Sequence, residues 1–223
     1  MALPTSQPEI QTSTTMTAKP DSNVEQRKLP SQTRSRQRVE LILASCRKLL
    51  KEKGITAVTT TAIASEAGIP VSSLYQYYPN KKSILIAIYE DYLEKISEIS
   101  ATLETPKNVS LGWEAFMSKL FLALNQAELR DEIEDELEKA LSIYPELAKV
   151  ERKHREKMAK QLVGILQRLG AKWSEKKLQR LALFLYSIND AVWAYRTEFH
   201  PPKSELIEWQ RASTLGLIRP CFD

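Results

Sequence analysis

A short segment near residue 70 concentrates side chains that can form hydrogen bonds to a polyanion. It spans Ala67–Leu85, AGIPVSSLYQYYPNKKSIL, and holds a pair of adjacent serines, three tyrosines, a glutamine and two lysines among apolar residues. A buried core excludes so many polar groups, and an ordinary solvated helix face carries Glu and Lys instead. Hydroxyls and lysines bind phosphate, and a glutamine amide can pair with a base edge, best with adenine. The segment therefore predicts a surface that lies on nucleic acid.

A second candidate chemistry is metal binding at the step Glu151–His154. The pattern Glu-x-x-His is the ligand spacing of di-iron helical bundles, and Glu134 and Glu138 could supply further carboxylates. Such a site needs two of these steps on facing helices, whereas the sequence holds one, in a stretch rich in Lys and Arg. We favour a solvated helix face here, and no metal is expected.

The remaining reactive residue types argue against several other classes of protein. Cys46 and Cys221 lie far apart, and two cysteines with two histidines at these spacings build neither a zinc site nor a disulfide framework. We find no catalytic constellation and no Gly-rich phosphate loop, so neither an enzyme nor a cofactor is expected. No segment approaches about 18 consecutive apolar residues, and the N-terminus lacks the apolar region of a signal peptide. A cytoplasmic protein is the resulting expectation.

The positive charge of the chain is concentrated in one unit. Residues 31–90 hold nine Lys or Arg against four Asp or Glu, whereas residues 91–223 hold 20 against 21. A localised excess of this kind is typical of a module that meets phosphate. The preceding segment Met1–Pro30 is rich in Ser, Thr, Gln and Pro, which predicts a disordered tail. The tail is not basic, so a DNA-contacting arm would depend on the arginines directly after it: Arg34, Arg36 and Arg38.

Apolar residues recur at steps of three and four through the rest of the chain, which predicts an all-α fold. The first stripe, Val39–Leu50, is followed by Gly54, a suitable helix stop. Thr59 is the expected N-cap of a short second helix that breaks at Gly68. Two short helices joined by a tight turn at a glycine have the spacing of a helix-turn-helix.

The third and fourth helices complete this unit. Pro70 is acceptable in the first turn of a third helix, Val71–Tyr78, which ends at Pro79. Asn80 caps a longer fourth helix, Asn80–Ser100. If the third helix is the recognition helix, Leu74 packs inward against the second helix. The Tyr75 hydroxyl and Lys81 would then bind phosphates of the DNA backbone. Five further side chains would face outward, toward bases or phosphates: Val71, Ser72, Ser73, Gln76 and Tyr77.

The segment TTTAIASEAGIPVSSLYQYYPNKKSILIAIYE resembles the DNA-binding domain of the TetR/AcrR family of bacterial repressors. The resemblance covers about a quarter of the chain, and the pattern is much more specific than a generic helix-turn-helix. Three departures are mild: Tyr78 stands where Phe is usual, Pro70 where Ser is common, and the tail is longer than typical. The matching positions are Gly54, Thr59, Ile63, Ala64, Ala67, Gly68, Leu74, Tyr75, Tyr77, Tyr78, Pro79, Asn80, Lys81 and Leu85.

The resemblance implies a homodimeric transcription regulator that responds to a small molecule. A three-helix DNA-binding domain, residues 31–85, would bind half of a palindromic operator and be joined by the shared fourth helix to a larger helical domain, residues 86–223. That second domain would bind the effector, and its last two long helices would form a four-helix dimer interface. By family position, Thr60 and Thr61 also approach DNA.

Candidate ligand-binding residues come from two apolar helices of the second domain. An aromatic and methionine stripe contributes Trp113, Phe116, Met117 and Phe121, each of which could equally be core. Farther on, Asn189 and Asp190 interrupt a broad apolar helix that also carries Trp193. Burying an unpaired carboxylate is costly, so Asp190 faces solvent, pairs with Arg196 or another cation, or points into the pocket.

The helices predicted at Ser174–Phe199 and Ser204–Leu217 carry more apolar surface than one monomer needs, which supports the dimer. Two alternatives to a ligand-released repressor stay open. One is a DNA-binding or division-control protein of the same fold without a small-molecule ligand. The other is a helical metal enzyme, for which the single Glu-x-x-His step is the only sequence support.

Overall fold

The computed structural model describes residues 33–128 and 132–223, so the tail predicted at Met1–Pro30 lies outside the described residues. Within these ranges the regular structure is helical and no strand occurs, which confirms the predicted all-α fold. None of the described helices combines the length and the apolar character that a membrane span needs.

Ten α-helices and two short 3-10 helices, Ile55–Ala57 and Arg219–Cys221, make up the described ranges. The α-helices are α1 (Thr33–Lys53), α2 (Thr60–Glu66), α3 (Val71–Tyr75), α4 (Lys81–Leu103), α5 (Pro106–Val109), α6 (Trp113–Glu128), α7 (Glu134–Ile143), α8 (Pro145–Arg168), α9 (Glu175–Phe199) and α10 (Lys203–Ile218).

Helices α2 and α3 form the helix-turn-helix, and local sequence fixes its turn. Thr59 is the N-cap of α2 as predicted, because its Oγ1 accepts a hydrogen bond of 3.0 Å from the Ala62 N–H. Gly68 has φ +60°, a left-handed conformation that glycine adopts without steric cost. Helix α3 ends at Tyr75, three residues before the predicted Tyr78, and is followed by a turn in which the N–H groups of Tyr77 and Tyr78 both donate to the Leu74 carbonyl.

Helix α4 is the shared element that was predicted. A capping box fixes its start: Asn80 Oδ1 accepts from the Ser83 N–H at 3.0 Å, and Ser83 Oγ accepts from the Asn80 N–H at 3.4 Å. Its first turns bury Ile84, Leu85 and Ile88 among α1 to α3. Its later turns pack on α6 and α8.

Two apolar cores hold the molecule together. The first joins α1 to α4 with residues of α7 and the start of α8, including Leu137 and Leu147. The second joins α6, α8, α9 and α10 around Phe116 and Leu166. The N-terminal head, which we define as residues 33–85, therefore shares its core with α7 and α8, across the boundary predicted at residue 85.

Helices α9 and α10 leave large apolar side chains uncovered. Phe184, Tyr195 and Phe199 on α9 are 54%, 41% and 60% exposed, and Trp209 on α10 is 52% exposed. Small exposed residues lie on the same helices, including Ala191 on α9 and Gly216 on α10. Exposed aromatic groups beside small residues are the composition of a surface that packs against another helix pair.

Candidate nucleic-acid interface and ligand cavity

The start of α2 and the end of α3 meet through two hydroxyl groups. Thr60 Oγ1 and the Tyr75 hydroxyl oxygen lie 3.1 Å apart and share a hydrogen bond. Around this contact Thr61, Ser72 and Gln76 are exposed, Ser73 is half-buried, and Tyr75 is 41% exposed. These side chains offer donors and acceptors to a groove or a phosphate without first breaking a buried contact.

Two residues of the predicted outward face differ from the prediction. Tyr77 is buried, because its ring packs in the first core and its hydroxyl lies 3.2 Å from Ser35 Oγ of α1. The prediction that Tyr77 faces outward is wrong: α3 ends before it, and the following turn directs its ring inward. Val71 is half-buried against the same core, which leaves only part of its side chain for a thymine methyl.

Lys81 is turned toward the protein rather than freely extended toward a phosphate, contrary to the prediction. Its Nζ donates a hydrogen bond of 3.1 Å to the Val58 carbonyl and lies 5.5 Å from the centre of the Tyr144 ring. The acceptor is the end of the 3-10 segment before α2, and the ring comes from the α7–α8 connection. Lys81 therefore holds the head against α7 and α8, a role that requires tertiary contacts and has no sequence signature.

The start of α1 adds basic residues that were not assigned to the interface from sequence. The Ser35–Tyr77 contact places this end of α1 beside the end of α3. Arg34, Arg36 and Arg38 are exposed on it. The three arginines at alternate positions after the polar tail were the available signal, and the helix crossing that brings them to α3 was not readable from spacing.

Much of the remaining positive charge of the head is paired with carboxylates. Ion pairs join Arg47 to Asp91 at 2.5 Å, Lys48 to Glu66 at 2.5 Å, Lys51 to Glu132, and Lys82 to Glu146 at 2.8 Å. Phosphate binding competes poorly with a pair that is already formed. Beside the helix-turn-helix, exposed positive charge is found at the start of α1, on Arg34 and Arg38.

A cavity of about 430 Å³ opens between α7, α8, α9 and α10; we refer to it as the outer chamber. Four carboxylates and four basic side chains line it together with apolar groups such as Leu206 and Val192. The charged lining residues are Glu134, Glu138, Glu151, Asp190, Arg152, Arg155, Arg196 and Lys203.

A second cavity of about 150 Å³, the inner chamber, lies between α4, α6, α8 and α9 and is mostly apolar. Leu120, Leu162 and Ile165 are among its lining residues. Three amide side chains line both chambers: Asn125, Asn189 and Gln210, with Gln210 Nε2 donating to Asn189 Oδ1 at 2.5 Å. The chambers are therefore neighbours across an amide boundary.

The predicted ligand residues divide between these cavities and the core. Met117 and Phe121 line the inner chamber, Asp190 and Trp193 the outer chamber, and Asn189 both. Two predictions are wrong. Phe116 is 1% exposed within the second core, and Trp113 stacks on Phe222 with ring centres 4.8 Å apart, away from both chambers. The stripe on α6 faces the core on one side and the chamber on the other, a division that helical spacing alone cannot make.

Asp190 is paired, although not with Arg196. Arg155 of α8 donates to its two carboxylate oxygens at 2.9 Å and 3.1 Å, while Arg196 pairs with Asp135 at 2.6 Å and Glu134 at 3.6 Å. Burial, and then the nearby carboxylates of Glu151, Glu134 and Asp190, raise the pKa of Glu138 to about 7. The outer chamber thus holds one carboxyl group that is partly protonated near neutral pH.

Helix α7 connects the outer chamber to the head. Glu134 and Glu138 line the chamber, whereas Glu136 extends from the same helix to the backbone N–H of Ile55, which donates to it at 2.6 Å. Burial raises the pKa of Glu136, but hydrogen bonds from Lys139 and from Ile55 outweigh burial and the net pKa is lowered. Ile55 begins the 3-10 segment that leads directly into α2, so α7 is a physical link between cavity and helix-turn-helix.

Glu151 and His154 are half-buried, so the solvated helix face predicted for this step is wrong. The Tyr89 hydroxyl donates to Glu151, and His154 lines the inner chamber, where burial lowers its pKa. Among the described residues no group of three His, Cys, Asp or Glu side chains is placed to hold a metal ion.

Comparisons with known proteins find similarity both in the N-terminal head and over most of the chain. Residues 42–88 match the model of the family described as bacterial regulatory proteins, tetR family. The chain is 29% identical over 168 residues to the HTH-type transcriptional repressor KstR2 of Mycolicibacterium smegmatis, covering 74% of this chain and 79% of that protein.

Two solved structures show the likeness in three dimensions. A TetR transcription regulator from Haloarcula marismortui superposes with a TM-score of 0.66 at 16% identity, over 84% of this chain and 100% of the other. The multidrug binding protein EbrR, complexed with imidazole, superposes with a TM-score of 0.61 at 19% identity, over 83% and 90% of the two chains. At these identities the likeness establishes the shared fold.

Proposed function

We propose that this chain is a member of the tetR family of bacterial regulatory proteins and acts as a homodimeric repressor that a small molecule releases from a palindromic operator. The observation that supports DNA reading most strongly is the exposed polar face formed by α2 and α3. Gln76, Ser72 and Thr61 are solvent-accessible there, and the Thr60–Tyr75 hydrogen bond holds the two helices in register.

Roles within this face follow from exposure and chemistry. Gln76 and Ser72 reach base edges in the major groove, where Gln pairs best with adenine. Tyr75 and the half-buried Ser73 bind backbone phosphates. Arg34 at the start of α1 contributes a further phosphate contact, because that helix end lies beside α3 through Ser35 and Tyr77. Lys81 does not contact DNA in this proposal, because its Nζ binds the Val58 carbonyl and lies over the Tyr144 ring.

Helices α9 and α10 are the proposed dimer interface. Their uncovered aromatic groups, Phe184, Tyr195 and Trp209, would be buried between two copies related by a two-fold axis. Leu206, Leu215 and Ile218 are buried within the monomer and are not part of the proposed interface. A two-fold dimer presents two recognition helices about 34–36 Å apart, one turn of DNA, and therefore favours a palindrome.

The two chambers favour a ligand-controlled regulator over a DNA-binding protein of the same fold without an effector. A ligand shifts a conformational equilibrium only by its differential affinity for the two states. Helix α7 offers the route: displacement of Glu134 or Glu138 in the chamber moves Glu136, which is bonded to Ile55 ahead of α2. Helix α4, shared by both cores, moves with it.

Selection from a pool of random-sequence duplexes tests the DNA-binding part directly. We expect the purified protein to enrich sequences with two inverted half-sites, because each recognition helix of a two-fold dimer meets the same bases. A Gln76→Ala variant, whose fold is expected to be unchanged, should enrich the same half-sites with a weaker base preference at one position of each. Enrichment of no common sequence by the wild-type protein would refute the proposal.

A further inference from the structure

Two residues that line the outer chamber each carry a buried hydrogen-bond donor without a hydrogen-bond partner. Among the polar side-chain atoms that the structure describes, Arg155 Nε and Trp193 Nε1 are buried and lack a hydrogen-bond partner. Both residues line the outer chamber, one from α8 and one from α9. A buried donor without a partner carries a desolvation cost, so such groups indicate where an external acceptor binds.

Several of the charged groups around these donors are paired within the protein. Asp190 accepts two hydrogen bonds from Arg155, Glu134 pairs with Arg196, and Glu151 accepts from Tyr89. A cationic ligand offers no acceptor to the two donors and would lie against Arg155 and Arg196. An anionic ligand would lie against four carboxylates as well as four basic side chains, so the lining as a whole matches neither sign of charge. An uncharged acceptor satisfies the donors without adding charge to either set.

The apolar inner chamber lies across the amide boundary formed by Asn125, Asn189 and Gln210. A molecule that extends through both chambers must be apolar at one end, because Leu120, Leu162 and Ile165 line the inner chamber and bury whatever enters it. At the other end it must present an acceptor to Trp193 and Arg155. The two chambers together therefore fit an amphipathic molecule.

We propose that the effector is an uncharged amphipathic molecule whose apolar body occupies the inner chamber and whose carbonyl-type oxygen accepts hydrogen bonds from Trp193 Nε1 and Arg155 Nε in the outer chamber. This inference rests on the proposed function, since it names the chemical class of the ligand that would control DNA binding. Trp193 and Arg155 are the residues that determine specificity for the acceptor, and Met117 and Phe121 contact the body.

Four small probes with one phenylalkyl body and different head groups test the proposal by calorimetry or ligand-observed NMR. Benzylacetone carries a ketone, butylbenzene carries no polar group, hydrocinnamate is an anion, and the amine derived from benzylacetone is a cation. We expect benzylacetone to bind most tightly of the four. Tighter binding of the anion or the cation, equal binding of butylbenzene, or no measurable binding of any probe would overturn the proposal.

Variants localise the effect to the two donors. Trp193→Phe removes the N–H and keeps a large aromatic ring, so benzylacetone affinity should fall about two- to tenfold, the net value of one hydrogen bond, while butylbenzene affinity is unchanged. Arg155→Lys removes Nε at its position and keeps the charge beside Asp190, and should weaken benzylacetone similarly. Trp113→Phe, at a tryptophan that stacks on Phe222 away from both chambers, is the matched control and should have no effect.

Unchanged benzylacetone affinity in both Trp193→Phe and Arg155→Lys would also overturn the proposal. Because all of these titrations are made without DNA, they can fail while sequence-specific DNA binding stands. Conversely, failure of the duplex selection would refute the proposed function as a DNA-binding regulator, whereas the measured affinities of the probes for the chambers would still stand.

Discussion

Gln76 is the residue on which base reading depends most. It is exposed directly after α3, on the face that carries Ser72 and Tyr75, and it can form two hydrogen bonds to adenine. We predict that Gln76→Ala relaxes base preference at one position of each half-site, at a cost of about 1–3 kcal/mol for the preferred base. Binding titrations against a series of single-base operator variants measure this. An unchanged preference at every position would exclude Gln76 as a base reader.

Arg34 is predicted to act on the phosphate backbone and therefore on all sequences alike. Loss of one phosphate contact per chain should reduce the slope of log affinity against log salt by about 0.9 for each contact removed. The Arg34→Ala variant is compared with wild type on operator and on unrelated duplex at several salt concentrations. Lys95→Ala, an exposed lysine on α4 paired with Asp91, is the control expected to leave the slope unchanged. A loss in Arg34→Ala confined to operator would contradict a backbone role.

Glu138 should make stability depend on pH. Burial raises its folded-state pKa from 4.5 to about 7, so between these values the folded protein binds more protons than the unfolded chain. Its contribution to stability therefore falls as pH rises through this window, and ionised Glu138 is a cost above it. We predict that Glu138→Gln is more stable than wild type by about 1–3 kcal/mol at pH 8, with the difference vanishing near pH 5. Denaturant unfolding at several pH values decides this, and a pH-independent difference would contradict it.

At the scale of elements, local sequence signals located most of the helices. Thr59, Gly68 and Asn80 act locally, through their own backbone or a neighbour three residues away, which is why the α2 and α4 starts and the turn were predictable. The inward positions of Tyr77 and Lys81 were not, because they depend on contacts with α1 and with the α7–α8 connection. Helical spacing says which residues share a face but not what that face meets.

Helix α7 is the element predicted to couple ligand and DNA. Glu136→Ala removes the acceptor of the Ile55 N–H, and a buried donor left unsatisfied costs about 1–3 kcal/mol of stability. We expect ligand affinity in this variant to be close to wild type, while saturating ligand changes operator affinity less than in wild type, where about five- to 150-fold is typical of such coupling.

Glu136→Gln is the matched control, because its amide oxygen can still accept from Ile55. It should retain most of the coupling, despite losing the ion pair with Lys139. Thermal unfolding shows whether each variant is folded before operator affinity is measured with and without ligand. Full coupling in Glu136→Ala would show that α7 is not the link and would leave α4 as the connecting element.

At the scale of the whole molecule, the ligand chambers are the part that sequence patterns could least predict. Their walls come from six helices, α4 and α6 to α10, and the pairing of Asp190 with Arg155 joins residues 35 positions apart on α8 and α9. The stripe on α6 placed Met117 and Phe121 correctly but also suggested Trp113 and Phe116, since a helix between core and cavity is apolar on both sides.

Assembly is predicted to depend on the exposed aromatic surface of α9 and α10. Trp209→Glu places a charge in the centre of that surface and should give a monomer at micromolar concentration with much weaker operator binding. Leu122→Glu, which alters an exposed leucine on α6, is the control and should remain a dimer. Sedimentation velocity of both variants measures the change. A wild-type monomer with full operator affinity would contradict the interface.

The most direct test of the central claim is to titrate the protein into two labelled duplexes at physiological salt and to measure binding by fluorescence anisotropy. One duplex is the selected operator, and the other is a scrambled duplex of the same length and composition. We predict binding of two chains per operator and an affinity at least about 10³-fold higher than for the scrambled duplex, the range expected of specific protein–DNA recognition. Equal affinity for the two duplexes would contradict a sequence-specific regulator, and the exposed face of α2 and α3 would then need another function.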